Sequence, residues 1–151
     1  MSTDSPPPTS SWRAEPRGAS VCVPHERSGV GAARHALADQ LTVNGVEHAT
    51  TEDAVLVLSE LVTNAIKHAA PLPSGEIRVR WSIQEDCLHM EITDGGAVTR
   101  PHAGVANISS LGGRGLDIVR SVSDQWGVKE DHDCVTVWAD LRRRKQPAPR
   151  G

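Results

Sequence analysis

The spacing of hydrophobic positions changes along the chain and predicts both helices and strands. Residues 20–24 alternate between polar and apolar and end at a proline, a pattern typical of a short edge strand. Apolar residues then recur every three or four positions over residues 28–41 and again over residues 51–69. That period indicates two amphipathic helices.

The start of the second helix carries a capping signal. Thr50 and Asp53 stand three residues apart and resemble a capping box with Asp in the usual position of Glu. Pro71 and Pro73 follow the last apolar position and stop the helix, because proline cannot continue the backbone hydrogen bonding. We therefore predict a helix from Thr51 to Ala69.

The hydrophobic period shortens to two residues after this helix. Apolar side chains alternate with polar ones on both sides of a turn-like Glu85-Asp86 pair, and the apolar set is Ile77, Val79, Trp81, Ile83, Leu88, Met90 and Ile92. This pattern predicts an antiparallel hairpin with one apolar face. A third helix over residues 116–123 and two strands over 126–129 and 135–141 follow from the same periods.

The order β-α-α-β-β-loop-α-β-β separates helices from strands and predicts an α+β fold. We expect a two-layer α/β sandwich, in which a mostly antiparallel mixed sheet is covered on one face by three helices. Residues 19–141 would form this domain. Residues 1–18 are rich in proline and polar residues and are expected to be a disordered tail. Residues 142–151 are expected to be a basic disordered tail, either solvated or in contact with a phosphate backbone or an acidic partner.

Composition argues against several classes of function. The net charge is −3, from 16 Lys and Arg against 19 Asp and Glu, so no broad attraction to nucleic acid or anionic lipid is expected. The chain has no Tyr or Phe on which bases could stack. Its three cysteines form no CxxC pair, which favours the reducing cytoplasm. No signal peptide or membrane-spanning apolar run is predicted.

A polar stripe lies on the second helix. On a helical wheel, Glu60, Asn64, Lys67 and His68 fall together, opposite the apolar arc that must face the sheet. This stripe is either the solvent-exposed face of an amphipathic helix or a line of chemically active side chains. Helix geometry by itself favours the exposed face.

Two glycine-containing segments follow, separated by a loop too long for an ordinary connection. Asp94 ends a predicted strand and precedes Gly95 and Gly96, which fits either a hairpin exit turn or close approach of the backbone to a ligand. Residues 112–115 open the third helix with three glycines, and free N–H groups at a helix start suit phosphate. Glycine-rich helix starts are also common without any ligand.

Taken in order, these segments resemble the N-box and the two glycine boxes of the GHKL ATPase superfamily. They are a Glu-x-x-x-Asn helix, an Asp-x-Gly strand end about 30 residues later, and a Gly-x-Gly-Leu helix start about 20 residues after that. Residues 58–65, Leu-Ser-Glu-Leu-Val-Thr-Asn-Ala, and 113–119, Gly-Arg-Gly-Leu-Asp-Ile-Val, are more narrowly similar to the anti-sigma-factor serine kinases. The resemblance covers nearly all of residues 20–141 and implies the Bergerat ATP-binding fold.

The resemblance also implies roles for individual residues. Glu60 would be the general base that takes the proton from an attacking hydroxyl. Asn64 would supply an amide oxygen to a Mg²⁺ ion that bridges the phosphates of ATP. Asp94 would accept the adenine amino group, and Gly96 would leave room for the ring.

Further positions follow from the same motifs. Gly113 and Gly115 would cradle phosphates, Lys67 or Arg114 would add positive charge, and Thr136 would lie near the adenine. The complete set implied for nucleotide binding is Asn64, Lys67, His68, Asp94, Gly96, Gly113, Arg114, Gly115, Leu116 and Thr136.

The chain departs from the superfamily pattern in three places. Val98 stands where a further glycine is expected, and Cys134 replaces a glycine two residues before Thr136. The lid segment has only Arg100 and His102 as charged or titratable residues. These departures bear on nucleotide affinity and lid closure more than on the fold.

The resemblance implies a cytoplasmic, ATP-binding anti-sigma factor with serine/threonine-protein kinase activity toward an anti-sigma antagonist. Its partners would be that antagonist and a sigma factor, and relatives often form homodimers. Two alternatives remain open at the level of sequence. One is a non-catalytic, ATP-dependent protein-binding module that regulates transcription or signalling, and the other is an interaction protein that has lost its nucleotide.

Overall fold

The computed structural model describes residues 18–96 and 114–144, without the side chains of residues 114–116. The expected tails covered residues 1–18 and 142–151, and of these residues 1–17 and 145–151 lie outside the described part, whereas Gly18 belongs to β1. The lid and Gly113, within residues 97–113, also lie outside it. The elements are β1 (Gly18–Pro24), α1 (Arg27–Val43), α2 (His48–His68), β2 (Glu76–Ile83), β3 (Cys87–Asp94), α3 (Arg114–Val122), β4 (Gln125–Glu130) and β5 (Val135–Arg142). Their order confirms the predicted α+β fold.

The five described strands form one sheet in the order β1-β2-β3-β5-β4. All four pairings are antiparallel, so the described sheet is antiparallel throughout rather than mixed. β1 lies at one edge, as its terminal proline predicts. The antiparallel pairing of β3 with β5 sets the last residue of β3, Asp94, opposite the first residue of β5, Val135.

Aliphatic side chains build the core between the helices and one face of the sheet. From α2, Leu58 and Val62 are fully buried, and from the facing strands Ile77, Met90 and Ile92 are fully buried. Burying such a side chain contributes roughly 1.5–3 kcal/mol. The apolar arc of α2 that the sequence assigns to the sheet therefore fixes which side of the helix is left for Glu60 and the residues after it.

Helix α2 begins at His48, three residues before the predicted start. Its N-cap residue is Glu47, which makes no side-chain capping hydrogen bond. Thr50 lies inside the helix and is buried, and its hydroxyl accepts a hydrogen bond from the backbone N–H of Arg144 at 2.8 Å. The predicted capping box is therefore wrong, because a segment distant in sequence uses the Thr50 hydroxyl.

The ordered domain continues past the expected boundary at residue 141. Residue 142 belongs to β5, and the guanidinium group of Arg143 donates to both carboxylate oxygens of Glu47, each at 3.2 Å. The same group donates to the backbone oxygen of Gln84 at 2.9 Å. Arg143 thus joins the β2–β3 hairpin to the start of α2, and only residues 145–151 of the expected basic tail remain outside the described part.

The open face of the sheet carries polar and aromatic side chains. His89 donates from Nδ1 to Asp140 at 2.5 Å and from Nε2 to Glu91 at 2.9 Å, and its ring stacks on Trp138. Burial disfavours the protonated ring, but these hydrogen bonds outweigh burial and raise the pKa of His89. Trp138 is thus a residue of the sheet face.

The turn between β4 and β5 accounts for a compact polar segment of the sequence. The backbone N–H of Asp131 donates to the oxygen of Cys134 at 2.8 Å, which closes the turn between the two strands. Residues 18–96 and 114–144 contain no cluster of three His, Cys, Asp or Glu side chains able to hold a metal ion. No helix in these two ranges is long and apolar enough to cross a membrane.

We expect Arg143→Ala to lower the free energy of unfolding by about 1–3 kcal/mol, between the values for exposed and fully buried ion pairs. The reason is that the side chains of Arg143 and Glu47 are only 9% and 16% exposed, so the substitution would remove a two-point ion pair from a poorly solvated place. Chemical denaturation measures the change. Arg142→Ala is the matched control, since this exposed neighbour should lose less than about 0.5 kcal/mol. Equal effects of the two substitutions would contradict the assignment.

Candidate functional site

The carboxyl end of α2 meets the carboxyl end of β3. The backbone N–H of Gly95 donates to the oxygen of Ala70 at 2.8 Å, and the N–H of Ala70 donates to the oxygen of Gly96 at 2.8 Å. Ala70 lies two residues after the end of α2, and Asp94 is the last residue of β3. This reciprocal pair of hydrogen bonds, which we call the backbone bridge, holds the two ends against each other.

Two adjacent glycines make the backbone bridge possible. A Cβ atom on Gly95 would lie 2.2 Å from the backbone oxygen of Pro71, so a side chain at this position would force the segments apart. Gly96 has φ of +94°, in the left-handed region that favours glycine. A Cβ atom on Gly96 would approach only Val135, at 3.9 Å. Gly95 therefore allows the two chain segments to pack closely, and Gly96 leaves open space beside Asp94.

The Asp94 side chain is almost completely buried from solvent. It is 3% exposed, and Oδ1 accepts a hydrogen bond from the backbone N–H of Gly96 at 2.8 Å. Burial raises the pKa of Asp94 to about 6, against the opposing effects of the Gly96 hydrogen bond and the charge of His25. A buried carboxyl group with a shifted pKa in such a place is a recognised indicator of a binding or catalytic site.

Asn64 departs from the solvent-exposed stripe that helix geometry by itself favours. It lies one turn before the end of α2, is 8% exposed, and its amide nitrogen has no hydrogen-bond partner among the described residues. An unsatisfied buried amide costs about 1–3 kcal/mol, so a structure that retains one calls for an explanation such as a ligand. The exposed-face interpretation of the stripe is wrong at this position.

The other members of the stripe differ in exposure. Glu60, one helical turn before Asn64, is half-buried, whereas Lys67 and His68 at the end of α2 are exposed. Residues four apart lie on the same side of a helix, so the Glu60 carboxylate and the Asn64 amide are neighbours along α2. The helix thus carries a partly to fully buried polar pair, Glu60 and Asn64. It also carries two exposed basic side chains, Lys67 and His68, at its carboxyl end.

The structure does not bring Thr136 together with Asp94. The Thr136 hydroxyl is hydrogen-bonded to that of Thr93 at 2.8 Å, and these two residues are opposite each other in the β3–β5 ladder. Asp94 is paired with Val135. Because side chains alternate between the two faces of a strand, Thr136 lies on the open face, and Val135 is the β5 residue beside Asp94.

The third predicted segment is described only through its backbone. α3 begins at Arg114, so Arg114, Gly115 and Leu116 form its first turn, close to the predicted start. Val119 of this helix is fully buried in the core, and α3 packs against α2. Gly113 lies outside the described residues, as do the side chains of residues 114–116.

The structure adds one residue that sequence reasoning missed. His25, in the turn between β1 and α1, donates from Nε2 to the backbone oxygen of Ala69 at 2.7 Å. Its charge also lowers the pKa of Asp94. In the sequence, His25 has no metal-ligand spacing to another histidine or to a cysteine. No local signal connects it with residues that lie 44 and 69 positions later in the chain.

Comparison with known proteins identifies the family. Residues 23–140 match the histidine kinase-like ATPase domain family. The chain is 31% identical to the serine-protein kinase RsbW of Oceanobacillus iheyensis over 127 residues, which cover 76% of this chain and 80% of that protein. It is 27% identical to the serine-protein kinase RsbW of Listeria innocua over 114 residues, which cover 68% of this chain and 73% of the relative.

Two solved structures share the fold. The RsbU and RsbW domain structure from Mycobacterium tuberculosis aligns with a TM-score of 0.64 at 17% identity, over 84% of this chain and 33% of that longer one. The SiaB-SiaC complex from Pseudomonas aeruginosa aligns with a TM-score of 0.63 at 17% identity, over 88% of this chain and 94% of that one. The family match over residues 23–140 confirms the resemblance seen in the motifs, and the chain belongs to the histidine kinase-like ATPase domain family.

Proposed function

We propose that this protein binds ATP at the junction of α2 and β3 and transfers its terminal phosphate to a serine or threonine of an anti-sigma antagonist. The observation that carries the proposal is the buried amide of Asn64, whose nitrogen has no partner in the described part of the chain, on the helix whose end is fixed beside the buried carboxylate of Asp94. The similarity to RsbW serine-protein kinases supports the type of reaction.

Asn64 is the residue that would hold Mg²⁺ together with the ATP phosphates. Magnesium prefers hard oxygen ligands and keeps several waters, so one amide oxygen and phosphate oxygens are sufficient. The side chain fits this place because burial holds it inside the structure, its amide oxygen is a hard ligand, and its nitrogen, which no described protein group satisfies, is left to donate to a phosphate oxygen. When bound, the ion would neutralise charge on the phosphates.

Glu60 would act as the general base. As the substrate hydroxyl oxygen forms its bond to the terminal phosphorus, the bond from that phosphorus to the bridging oxygen of the leaving ADP breaks. The hydroxyl proton passes to the Glu60 carboxylate, one helical turn from Asn64. Phosphoryl transfer depends mainly on positioning and charge neutralisation, which a carboxylate and an amide on one rigid helix would provide.

Asp94 would recognise the base of the nucleotide. Its ionised carboxylate can accept the adenine amino group, and the missing side chain of Gly96 leaves space beside it. Val135, and not the expected Thr136, is the β5 residue beside Asp94, so the proposed adenine site would have an aliphatic surface on the β5 side. We assign the phosphates to the start of α3, with Gly113 and Gly115 as backbone donors.

The remaining assignments concern charge and partners. Lys67, His68 and Arg114 would contribute positive charge near the phosphates. The antagonist is proposed from the RsbW similarity and from the two-protein complex formed by the structural neighbour SiaB, and a sigma factor and a second copy of this chain are the further proposed partners. The free state of the three cysteines fits a reducing cytoplasm.

Glu60→Gln should retain ATP binding and reduce phosphoryl transfer by about 10²- to 10⁴-fold, because the amide cannot accept the proton. The assay incubates the protein with radiolabelled ATP and partners recovered by affinity capture in the presence and absence of ATP, while calorimetry measures ATP affinity. Glu52→Gln, an exposed position on the same helix, is the control and should transfer normally. Full activity of Glu60→Gln would refute the base assignment. Wild-type protein that binds ATP but labels no partner would instead support the non-catalytic binding module.

Asn64→Leu should separate stability from nucleotide binding. Removing an unsatisfied buried amide in favour of an apolar side chain of similar size is neutral or stabilising, so the melting temperature should be unchanged or higher. The thermal shift caused by Mg-ATP should disappear, since the proposed oxygen ligand is gone. Thermal unfolding with and without Mg-ATP measures both effects. A retained Mg-ATP shift would remove Asn64 from the site.

ATP affinity should weaken about tenfold between pH 7 and pH 5, because Asp94 with a pKa of about 6 loses its accepting carboxylate over this range. The stability of the nucleotide-free protein should respond with the opposite sign. The folded pKa of Asp94 lies above the unfolded value near 3.8, so protonation favours the folded state and the Asp94 contribution rises as the pH falls from 7 to 4. Calorimetry on wild-type protein and on Asp94→Asn checks the sign. Asp94→Asn serves as the control, because it shows how much of the change in ATP affinity comes from titration of the nucleotide itself. An equal loss of ATP affinity between pH 7 and pH 5 in both proteins would contradict the role of Asp94.

A further inference from the structure

The ring of His25 supports the end of α2 from outside the helix. Ala69 is the C-cap residue of α2 and has an extended backbone, so its carbonyl points away from the helical hydrogen-bond ladder. The carbonyls at a helix end have no intrahelical partners and need donors from elsewhere. Nε2 of His25 supplies that donor at 2.7 Å, in a partly buried position.

His25 and the backbone bridge form hydrogen bonds to two consecutive residues, Ala69 and Ala70. The ring holds the oxygen of Ala69, while Gly95 and Gly96 hold the oxygen and the N–H of Ala70. The first contact comes from the β1–α1 turn, and the other two come from the exit of β3. We call these three hydrogen bonds the α2 clamp. They fix the helix end from two sides, which a single contact could not do.

We propose that His25 is a positioning residue of the ATP site, which sets the separation between Asn64 on α2 and Asp94 on β3 through the α2 clamp. Asn64 lies about one turn before the clamped end, and Asp94 immediately precedes the glycines of the bridge. Loss of the ring would leave the Ala69 carbonyl without its donor and let the last turn of α2 fray. The role in ATP binding rests on the proposed function, whereas the clamp itself does not.

The charge of His25 gives the same residue a second, measurable effect. Among the side chains that the structure describes, His25 supplies a charge that acts to lower the pKa of Asp94. The Gly96 N–H acts in the same direction, and burial acts against both. The positively charged ring of His25 thus favours the ionised form of the Asp94 carboxyl group, which would accept the adenine amino group.

Three variants separate the hydrogen bond from the charge. His25→Gln keeps an N–H donor but removes the ionisable ring, and His25→Ala removes both. His35→Ala is the matched control, because His35 is an exposed histidine on α1. Each is examined as the full chain without nucleotide, by amide hydrogen exchange and by NMR titration of the Asp94 carboxyl group, and then with ATP by calorimetry.

In His25→Ala we expect amide exchange at Ala70 and Gly95 to accelerate about five- to tenfold, the equivalent of one lost hydrogen bond. His25→Gln should stay close to wild type in exchange, and His35→Ala should not change. The Asp94 midpoint should move upward in both His25 variants. ATP affinity should fall by a similar factor in His25→Ala and recover in part in His25→Gln.

Unchanged exchange at Ala70 and Gly95 in a folded His25→Ala protein would overturn the clamp. An unchanged Asp94 midpoint in His25→Gln would overturn the effect of charge, even if the alanine variant failed to fold. Faster exchange together with wild-type protein that does not bind ATP would support the clamp and refute the proposed function. Faster exchange with unaltered ATP affinity would overturn the positioning role.

Discussion

The structure of the site depends on the backbone bridge between the end of α2 and the exit of β3. Two hydrogen bonds, from the Gly95 N–H to the Ala70 oxygen and from the Ala70 N–H to the Gly96 oxygen, hold the end of the helix that carries Asn64 against the end of the strand that carries Asp94. The close approach requires a residue without a side chain, since a Cβ on Gly95 would overlap the oxygen of Pro71. A short-range steric condition at one glycine therefore controls the distance between two functional groups.

Burial gives these two groups their chemical character. Asp94 and Asn64 are both more than nine-tenths buried, and neither is as fully compensated as a core polar group usually is. Asp94 has a raised pKa, and the amide nitrogen of Asn64 has no partner in the described part of the chain. Both features cost folding free energy, which the surrounding aliphatic core offsets. Such uncompensated groups are typical of sites where stability is lowered in favour of binding.

Helix α2 is held at both ends by residues distant in sequence. At its start, Arg143 binds Glu47, and the N–H of Arg144 binds the Thr50 hydroxyl. At its end, His25 binds the carbonyl of Ala69. The middle of the helix packs on the sheet through its aliphatic arc. A helix restrained in this way would give rigid support to the proposed base and metal ligand.

The sequence by itself determined the eight elements, the apolar face of α2 and the motif order that identifies the family, because periodicity and motif spacing are local properties. The start of α2 and the extent of β5 required tertiary structure, since Thr50 and Arg143 find their partners more than 90 positions away. Thr136 illustrates the limit most clearly. A shift of one residue moves a side chain to the other face of a strand, and the ladder with β3 puts Val135, not Thr136, beside Asp94. The burial of Asn64 and the contact of His25 with the end of α2 likewise follow only from how the layers pack.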